Sequence, residues 1–212
     1  MRQPRTVIPL PDYERIFRVI YTVLDTRANT PHACIFFALV GTAILEMHYK
    51  LKAQPFAGAA AYVVSAETAT VSTFGKLVAD QLVSSRDTFH CWIECNGVAI
   101  DFMAPLFQES LKTYGHTLHV PRRMFQKLKT EMSPSLHEMC LEGAYFLLPN
   151  PALTNEIIQE FSADLTSTDL ANVCTTWFRR PPKQLANNFR MRDDLGNVYP
   201  LELKGPQLSG VW

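Results

Sequence analysis

Residues 89–102 read FHCWIECNGVAIDF. Asn96 and Gly97 lie between two runs of alternating, β-prone side chains. The pattern is the strongest short-range signal for a β-hairpin with a two-residue turn, because that turn needs positive φ at both central residues. Such a turn places Cys95 opposite Val98. We therefore predict two antiparallel strands in that register.

The two faces of the predicted hairpin differ in chemistry, because successive side chains of a strand point to opposite faces. One face is wholly apolar and is expected to lie on the core; it carries Phe89, Cys91, Ile93, Cys95, Val98, Ile100 and Phe102. The other face carries His90, Trp92, Glu94, Ala99, Asp101 and Met103. On it, His90 and Asp101 are diagonal neighbours about 7 Å apart at Cβ, within reach of a hydrogen bond. A polar, solvated hairpin face is the alternative interpretation.

The composition is that of an ordinary soluble globular chain, long enough for one domain with a sizeable core. Of the 212 residues, 47% are hydrophobic and 19% are charged, and the formal net charge is +0. A neutral chain gives no electrostatic reason to bind nucleic acid or an acidic membrane surface. No stretch reaches the roughly 20 apolar residues of a membrane span. Five cysteines without framework spacing, and no signal-peptide pattern, favour the cytoplasm.

A second informative stretch begins at Thr30-Pro31, which is typical of a helix start with Thr30 as N-cap and Pro31 at the first helical position. Residues 33–47 are apolar on nearly every face, so this helix is predicted to be buried at the centre of the domain. Cys34 falls in its first turn, where unpaired N–H groups and the positive end of the helix dipole lower a thiol pKa. An inert, buried cysteine is the alternative.

The remaining elements follow from hydrophobic periodicity and turn residues. Predicted helices cover residues 12–24, 106–114, 122–132, 155–161 and 168–178, the last with possible caps at Thr166 and Ser167. Predicted strands cover residues 56–65, 71–74 and 143–148, and residues 189–192 are expected to pair with 198–203. Pro181-Pro182 divides the chain into a predicted catalytic domain, residues 1–180, and an extension, residues 181–212, packed on the same domain.

Three residues carry a resemblance to a known family. Cys34 at the start of a buried helix, His90 in a His-x-Trp-x-Glu strand and Asp101 on the next strand resemble the core of transglutaminase-like proteins, members of the papain-like cysteine hydrolase superfamily. The likeness covers residues 29–102. It implies an α+β, papain-like fold in which a buried helix with the nucleophile at its N-terminus packs on an antiparallel sheet. Ile35 stands where that family commonly has tryptophan, which leaves the substrate open.

The chemistry of these side chains agrees with the resemblance. Cys34 is the predicted nucleophile, His90 the general base and then general acid, and Asp101 the carboxylate that orients the imidazole. The backbone N–H of Cys34 is a natural donor to an oxyanion, and the Asn29 side-chain amide is a second candidate. Trp92 either shields the His–Asp hydrogen bond, lines the acyl pocket or simply packs. Together the triad would form and resolve a thioester.

Three functions remain open at this point. The first is hydrolysis of an amide bond in a peptide, a protein or a small amide, and the second is transfer of the acyl group to an amine. The third is a catalytically silent protein-binding module of the same fold. His32, Cys34 and His90 also raise the alternative of a zinc site, but the sequence has no CxxC or HExxH motif, so no metal or other cofactor is expected.

Overall fold

The hairpin at Asn96-Gly97 is present in the computed structural model, which describes residues 6–25 and 33–212. Strand β5 (His90–Cys95) pairs with β6 (Val98–Asp101), and Cys95 lies opposite Val98 as predicted. Asn96 and Gly97 both have positive φ, 51° and 76°. The turn chemistry therefore sets the register of the hairpin, and the prediction is confirmed.

The hairpin lies within a six-stranded antiparallel sheet. Its other strands are β1 (Ala53–Ser65), β2 (Thr70–Phe74), β7 (Phe125–Leu128) and β8 (Tyr145–Pro149). Gly58 of β1 pairs with both His90 and Pro149, so β5 and β8 occupy opposite edges of β1. Ala60 pairs with strands β2 and β8 in the same way. Strands β2 and β5 therefore share one edge of β1, and the end of β2 meets the start of β5.

Within the described residues, five α-helices accompany the sheet: α1 (Leu10–Leu24), α2 (Cys34–Tyr49), α3 (Phe107–Thr113), α4 (Pro151–Ala163) and α5 (Leu165–Trp177). Helix α2 is the buried helix predicted from its apolar sequence, and it packs on β5 and β1. The contact is close at Gly41, where a Cβ atom would lie 2.5 Å from the Phe102 ring and 2.9 Å from Ile93. The fold is α+β, with this central helix against an antiparallel sheet, as predicted.

The helix predicted over residues 122–132 is wrong, because this region supplies strand β7. Phe125 lies opposite Asp101, and Leu128 lies opposite Val98. The buried Gln126 side chain accepts hydrogen bonds from the backbone N–H of Val7 and Ile8. Pairing with the exposed edge of β6 therefore outweighs the local helical periodicity, which tertiary contacts commonly override.

Two smaller differences concern local chemistry. Helix α5 is capped by Asp164, whose carboxylate accepts from the Ser167 N–H, and not by the predicted Thr166 or Ser167. Strands β3 (Lys76–Val78) and β4 (Gln81–Val83) form an unpredicted hairpin. Its turn uses Ala79-Asp80, both at positive φ, so it lacks the glycine by which such turns are recognised.

The C-terminal segment forms the predicted hairpin, with β9 (Asn188–Arg192) paired to β10 (Val198–Glu202). The Lys204 N–H donates to the Thr22 hydroxyl of α1. The Trp212 N–H donates to the Met124 carbonyl, just before β7. This segment therefore packs on α1 and on the start of β7. In the parts of the chain that the structure describes, no helix combines the length and apolarity needed to cross a membrane.

Candidate active site

The His90–Asp101 pair is formed as the hairpin register predicts. The distance from His90 Nε2 to Asp101 Oδ2 is 2.7 Å, and both side chains are fully buried. The other carboxylate oxygen accepts the Met103 N–H at 2.8 Å. Burial opposes a positive charge on the imidazole, but the Asp101 carboxylate outweighs it and raises the pKa of His90 to about 10. The imidazole is therefore held as an imidazolium at neutral pH.

The face that carries this pair is buried, so the interpretation of a solvated polar face is wrong. The Phe74 ring stacks on the His90 ring with centroids 4.2 Å apart, and the Tyr62 ring meets it edge-on at 5.8 Å. Phe74 reaches His90 because β2 ends where β5 begins on the same edge of β1. The aromatic rings exclude water from the His–Asp hydrogen bond, which strengthens the electrostatic interaction between the two groups.

Cys34 is the first residue of α2 and is positioned for thiolate chemistry. Its side chain is buried, yet it lines a cleft of about 590 Å³. A hydrogen bond with the Cys91 thiol lowers the pKa of Cys34, burial opposes this effect, and His90 lowers the pKa further, to about 5. The lowered pKa favours the thiolate form of Cys34 at neutral pH, and the residue contacts the cleft.

The second imidazole nitrogen is the one available to the thiol. Nε2 of His90 is bound to Asp101, which leaves Nδ1 for proton exchange with Cys34. Cys34 and His90 are close enough for each to shift the other's pKa. However, Nδ1 has no hydrogen bond of normal geometry to any residue within the described part of the chain. Loose contacts of this kind are common in unliganded active sites and tighten when substrate binds.

Three elements wall the cleft above Cys34: strand β2, the loop before β5 and the end of α3. The lining residues are Cys34, Val71, Ser72, Thr73, Phe74, Gly75, Asp87, Thr88, Phe89, Ser110, Leu111, Tyr114 and His116. The Cys34 N–H lies at the helix start, where backbone donors have no partner within the helix, so it can bind an oxyanion. The cleft can thus present a carbonyl carbon to the thiolate.

The two candidate substrate residues have different outcomes. Trp92 does not line this cleft; it is buried, stacks near Phe56 and donates its indole N–H to Glu94. Its role in the described structure is packing. Asn29, the second oxyanion candidate, lies outside the described residues, as do Thr30, Pro31 and His32.

The structure adds three residues to the site that the sequence did not suggest. Cys91, assigned to the core face of the hairpin, lies close enough to Cys34 to lower the pKa of that thiol. Tyr13 donates its hydroxyl to the Asp101 carbonyl oxygen. Tyr62 places a buried hydroxyl near Asp101, and burial raises the pKa of Tyr62 well above its usual value. Of these three residues, only Cys91 could have been anticipated from the sequence. It lies on the apolar face of the hairpin, and the predicted central helix was expected to pack against that face.

Possible metal ligands do not cluster around Cys34 in the described residues. No group of three or more His, Cys, Asp or Glu side chains suited to a metal ion occurs in residues 6–25 and 33–212. The zinc alternative also required His32, which lies outside those ranges. The structure instead brings together the thiol of Cys34, the imidazole of His90 and the carboxylate of Asp101. These three groups suit the roles of a nucleophile, a base and an orienting group.

Comparison with known proteins gives one family and one similar structure. Residues 9–212 match the family model DUF2026, a protein of unknown function. The crystal structure of a genomics target is similar to this chain with a TM-score of 0.86 and 33% sequence identity, and the match covers 100% of both chains. No curated protein matches the sequence. Because the family model spans nearly the whole sequence, the chain belongs to the DUF2026 family.

Proposed function

We propose that this protein is a cysteine-dependent hydrolase of papain-like, transglutaminase-like type that cleaves amide bonds through Cys34, His90 and Asp101. The observation that carries the proposal is the buried His90–Asp101 pair beside a helix-head thiol that opens on a cleft. A nucleophile, a base and an orienting carboxylate in this order are what thioester chemistry requires. The substrate is a peptide, a protein or a small amide.

The mechanism follows from the positions of the three groups. The Cys34 thiolate attacks the carbonyl carbon of the substrate, and the Cys34 N–H stabilises the oxyanion. His90 donates its Nδ1 proton to the leaving amine, which gives a thioester on Cys34. His90 then removes a proton from water, which attacks the thioester and releases the acid. Asp101 holds the imidazole in one orientation and stabilises its charged form throughout.

The alternatives differ in what reaches the thioester. Transfer to an amine uses the same acyl-enzyme, and hydrolysis is favoured because water is always available and no acceptor-binding motif is evident in the sequence. A catalytically silent binding module would be expected to bury the thiol or leave it unpaired. Cys34 instead lines the cleft and interacts with His90, which supports an enzyme.

The proposal is tested by comparing two cysteines within the same molecule. At about pH 6, we expect iodoacetamide to alkylate Cys34 about tenfold faster than an ordinary thiol, since its greater ionisation outweighs the lower nucleophilicity of a low-pKa thiolate. The exposed Cys140 is the internal reference. His90→Ala should remove the difference, and Cys34→Ser should abolish amine release from peptide anilides. Equal labelling of Cys34 and Cys140 would contradict the proposal.

The pH dependence of hydrolysis should be bell-shaped. Activity should rise through about pH 5, as Cys34 ionises, and fall through about pH 10, as His90 loses the proton that the leaving amine needs. Alkylation needs only the thiolate, so its rate should show the lower limb and no fall from loss of that proton. Measuring both profiles separates the two groups. An alkylation midpoint near 8.5, the value of a free thiol, would show that Cys34 is not activated.

A further inference from the structure

We propose that Cys34 and Cys91 form a peroxide-reactive dithiol site, in which Cys34 is oxidised first and Cys91 then closes a disulfide with it. The inference rests on the proposed function in one respect, because it uses the same Cys34 thiolate. It does not require acyl transfer. The chemical class of the reactant is a hydroperoxide, small enough to enter the cleft that leads to Cys34.

Helix packing brings the two sulfur atoms together. Gly41 of α2 packs directly against Ile93 of β5. Cys34 precedes Gly41 by seven residues, which is two helical turns and the same helix face. Cys91 precedes Ile93 by two residues, which is the same strand face. The stripe of α2 that carries Cys34 therefore packs on the strand face that carries Cys91, and the two thiols are close enough for each to shift the pKa of the other.

The two thiols have unequal roles, as a dithiol site requires. Cys34 lines the cleft, and its thiolate is the nucleophile that attacks a peroxide. Cys91 is as buried as Cys34 but does not line the cleft, and it contributes by shifting the pKa of the Cys34 thiol. An oxidant that enters the cleft thus meets Cys34 first, and the neighbouring Cys91 serves as the resolving thiol.

The chemistry balances with one hydroperoxide per disulfide. The Cys34 thiolate attacks one peroxide oxygen, an S–O bond forms and the O–O bond breaks. The departing oxygen takes a proton from the His90 imidazolium and leaves as an alcohol or as water. Cys34 has then lost two electrons and is a sulfenic acid. The Cys91 sulfur attacks the Cys34 sulfur, an S–S bond forms and the S–O bond breaks. The hydroxyl group leaves as water with the proton of Cys91.

The disulfide would switch the proposed enzyme off reversibly. Cys34 held in a disulfide cannot attack a carbonyl, and it is protected from irreversible oxidation to the sulfonic acid. A dithiol reductant restores both thiols by exchange. The oxidised protein should therefore lose iodoacetamide labelling at Cys34 and regain it after dithiothreitol.

Cys95 provides a matched control for Cys91. Both side chains lie on the same face of β5 and both are buried. Cys95 is about 13 Å further along the strand, from a rise of about 3.3 Å per residue, and is too far from the helix head to bond with Cys34. If the disulfide forms because Cys91 lies next to Cys34, it must use Cys91 and leave Cys95 reduced.

The experiment treats the purified full-length chain with a small excess of hydrogen peroxide, with and without dimedone, and maps the products by non-reducing mass spectrometry. Digestion with trypsin and a glutamate-specific protease cuts after Glu94, which separates Cys91 from Cys95. We expect wild type and Cys95→Ser to form the Cys34–Cys91 disulfide. Cys91→Ser should lose the disulfide and instead carry dimedone on Cys34.

The outcomes separate this inference from the proposed function. A dimedone adduct on Cys34 in wild type without a disulfide, a disulfide to another cysteine, or a Cys34 that is alkylated but not oxidised would overturn the dithiol site alone. A Cys34 that neither peroxide nor iodoacetamide modifies would overturn both. The wild-type map decides the question even if Cys91→Ser does not fold.

Discussion

Replacing Asp101 with asparagine should lower amide hydrolysis on the order of 10³- to 10⁴-fold, the size of effect seen when a triad loses its orienting carboxylate. The substitution keeps the shape of the side chain and an oxygen that can accept the Met103 N–H. It removes the negative charge from the buried hydrogen bond with His90. The imidazole is then no longer held in the required tautomer, and its charged form loses its main support.

The pH profile of the Asp101→Asn variant distinguishes this cause from simple structural damage. Without the carboxylate, the pKa of His90 should fall, and the pKa of Cys34 should rise because it loses an imidazolium neighbour. Alkylation of Cys34 at about pH 6 should then slow by about tenfold, since fewer thiols are ionised. Well above the new thiol pKa, both proteins carry a full thiolate, so the deficit should disappear, and the more basic thiolate of the variant should react at least as fast as that of wild type. A loss that is equal at every pH would contradict an electrostatic role.

Glu94 supplies the matched control for Asp101. It is a second carboxylate on the same face of the hairpin, but it bonds to Trp92 and Lys129. Glu94→Gln should therefore leave both pH profiles unchanged. If Glu94→Gln and Asp101→Asn reduce hydrolysis to the same extent, the effect belongs to the hairpin as a whole, and the assignment of Asp101 is wrong.

Local chemistry explains which parts of this site the sequence predicted. The Asn96-Gly97 turn sets the hairpin register without help from the rest of the chain, and the register alone puts His90 beside Asp101. In the same way, the apolar run after Cys34 specifies a buried helix with a thiol at its head. These features depend on neighbours within a few residues, which is the range that periodicity and turn residues report.

Long-range pairing explains the parts that were missed. Residues 125–128 form strand β7 because they pair with the edge of β6, and no pattern within that segment predicts the pairing. Phe74 stacks on His90 because β1 is long enough to carry β2 and β5 on one edge. The contact between Cys34 and Cys91 depends on how α2 lies on the sheet. In each case the deciding partner is distant in sequence, so composition and spacing do not reveal it.

Gly58→Ala should destabilise the fold by about 3 kcal/mol, the upper end of the usual cost of overpacking. A Cβ atom at Gly58 would lie 2.1 Å from the Leu148 carbonyl oxygen and 3.0 Å from the Asn150 nitrogen. Both atoms belong to the backbone. They cannot rotate away as a side chain can, and the Asn150 N–H is already bonded to the Ala57 carbonyl. Strand β8 must therefore shift from β1 as a unit.

Thermal denaturation measures this cost, which corresponds to a fall in Tm of about 10 °C for a chain of this length. Gly196→Ala is the control, because nothing lies within 4 Å of its added Cβ and only its φ of +86° is unfavourable. That strain should cost about 1 kcal/mol. Gly58 also pairs with His90, so the strand shift should reduce the labelling advantage of Cys34 as well. If Gly58→Ala is no less stable than Gly196→Ala, then β8 does not lie against β1 as described. In that case β8 does not hold β1 in the position from which it pairs with β5.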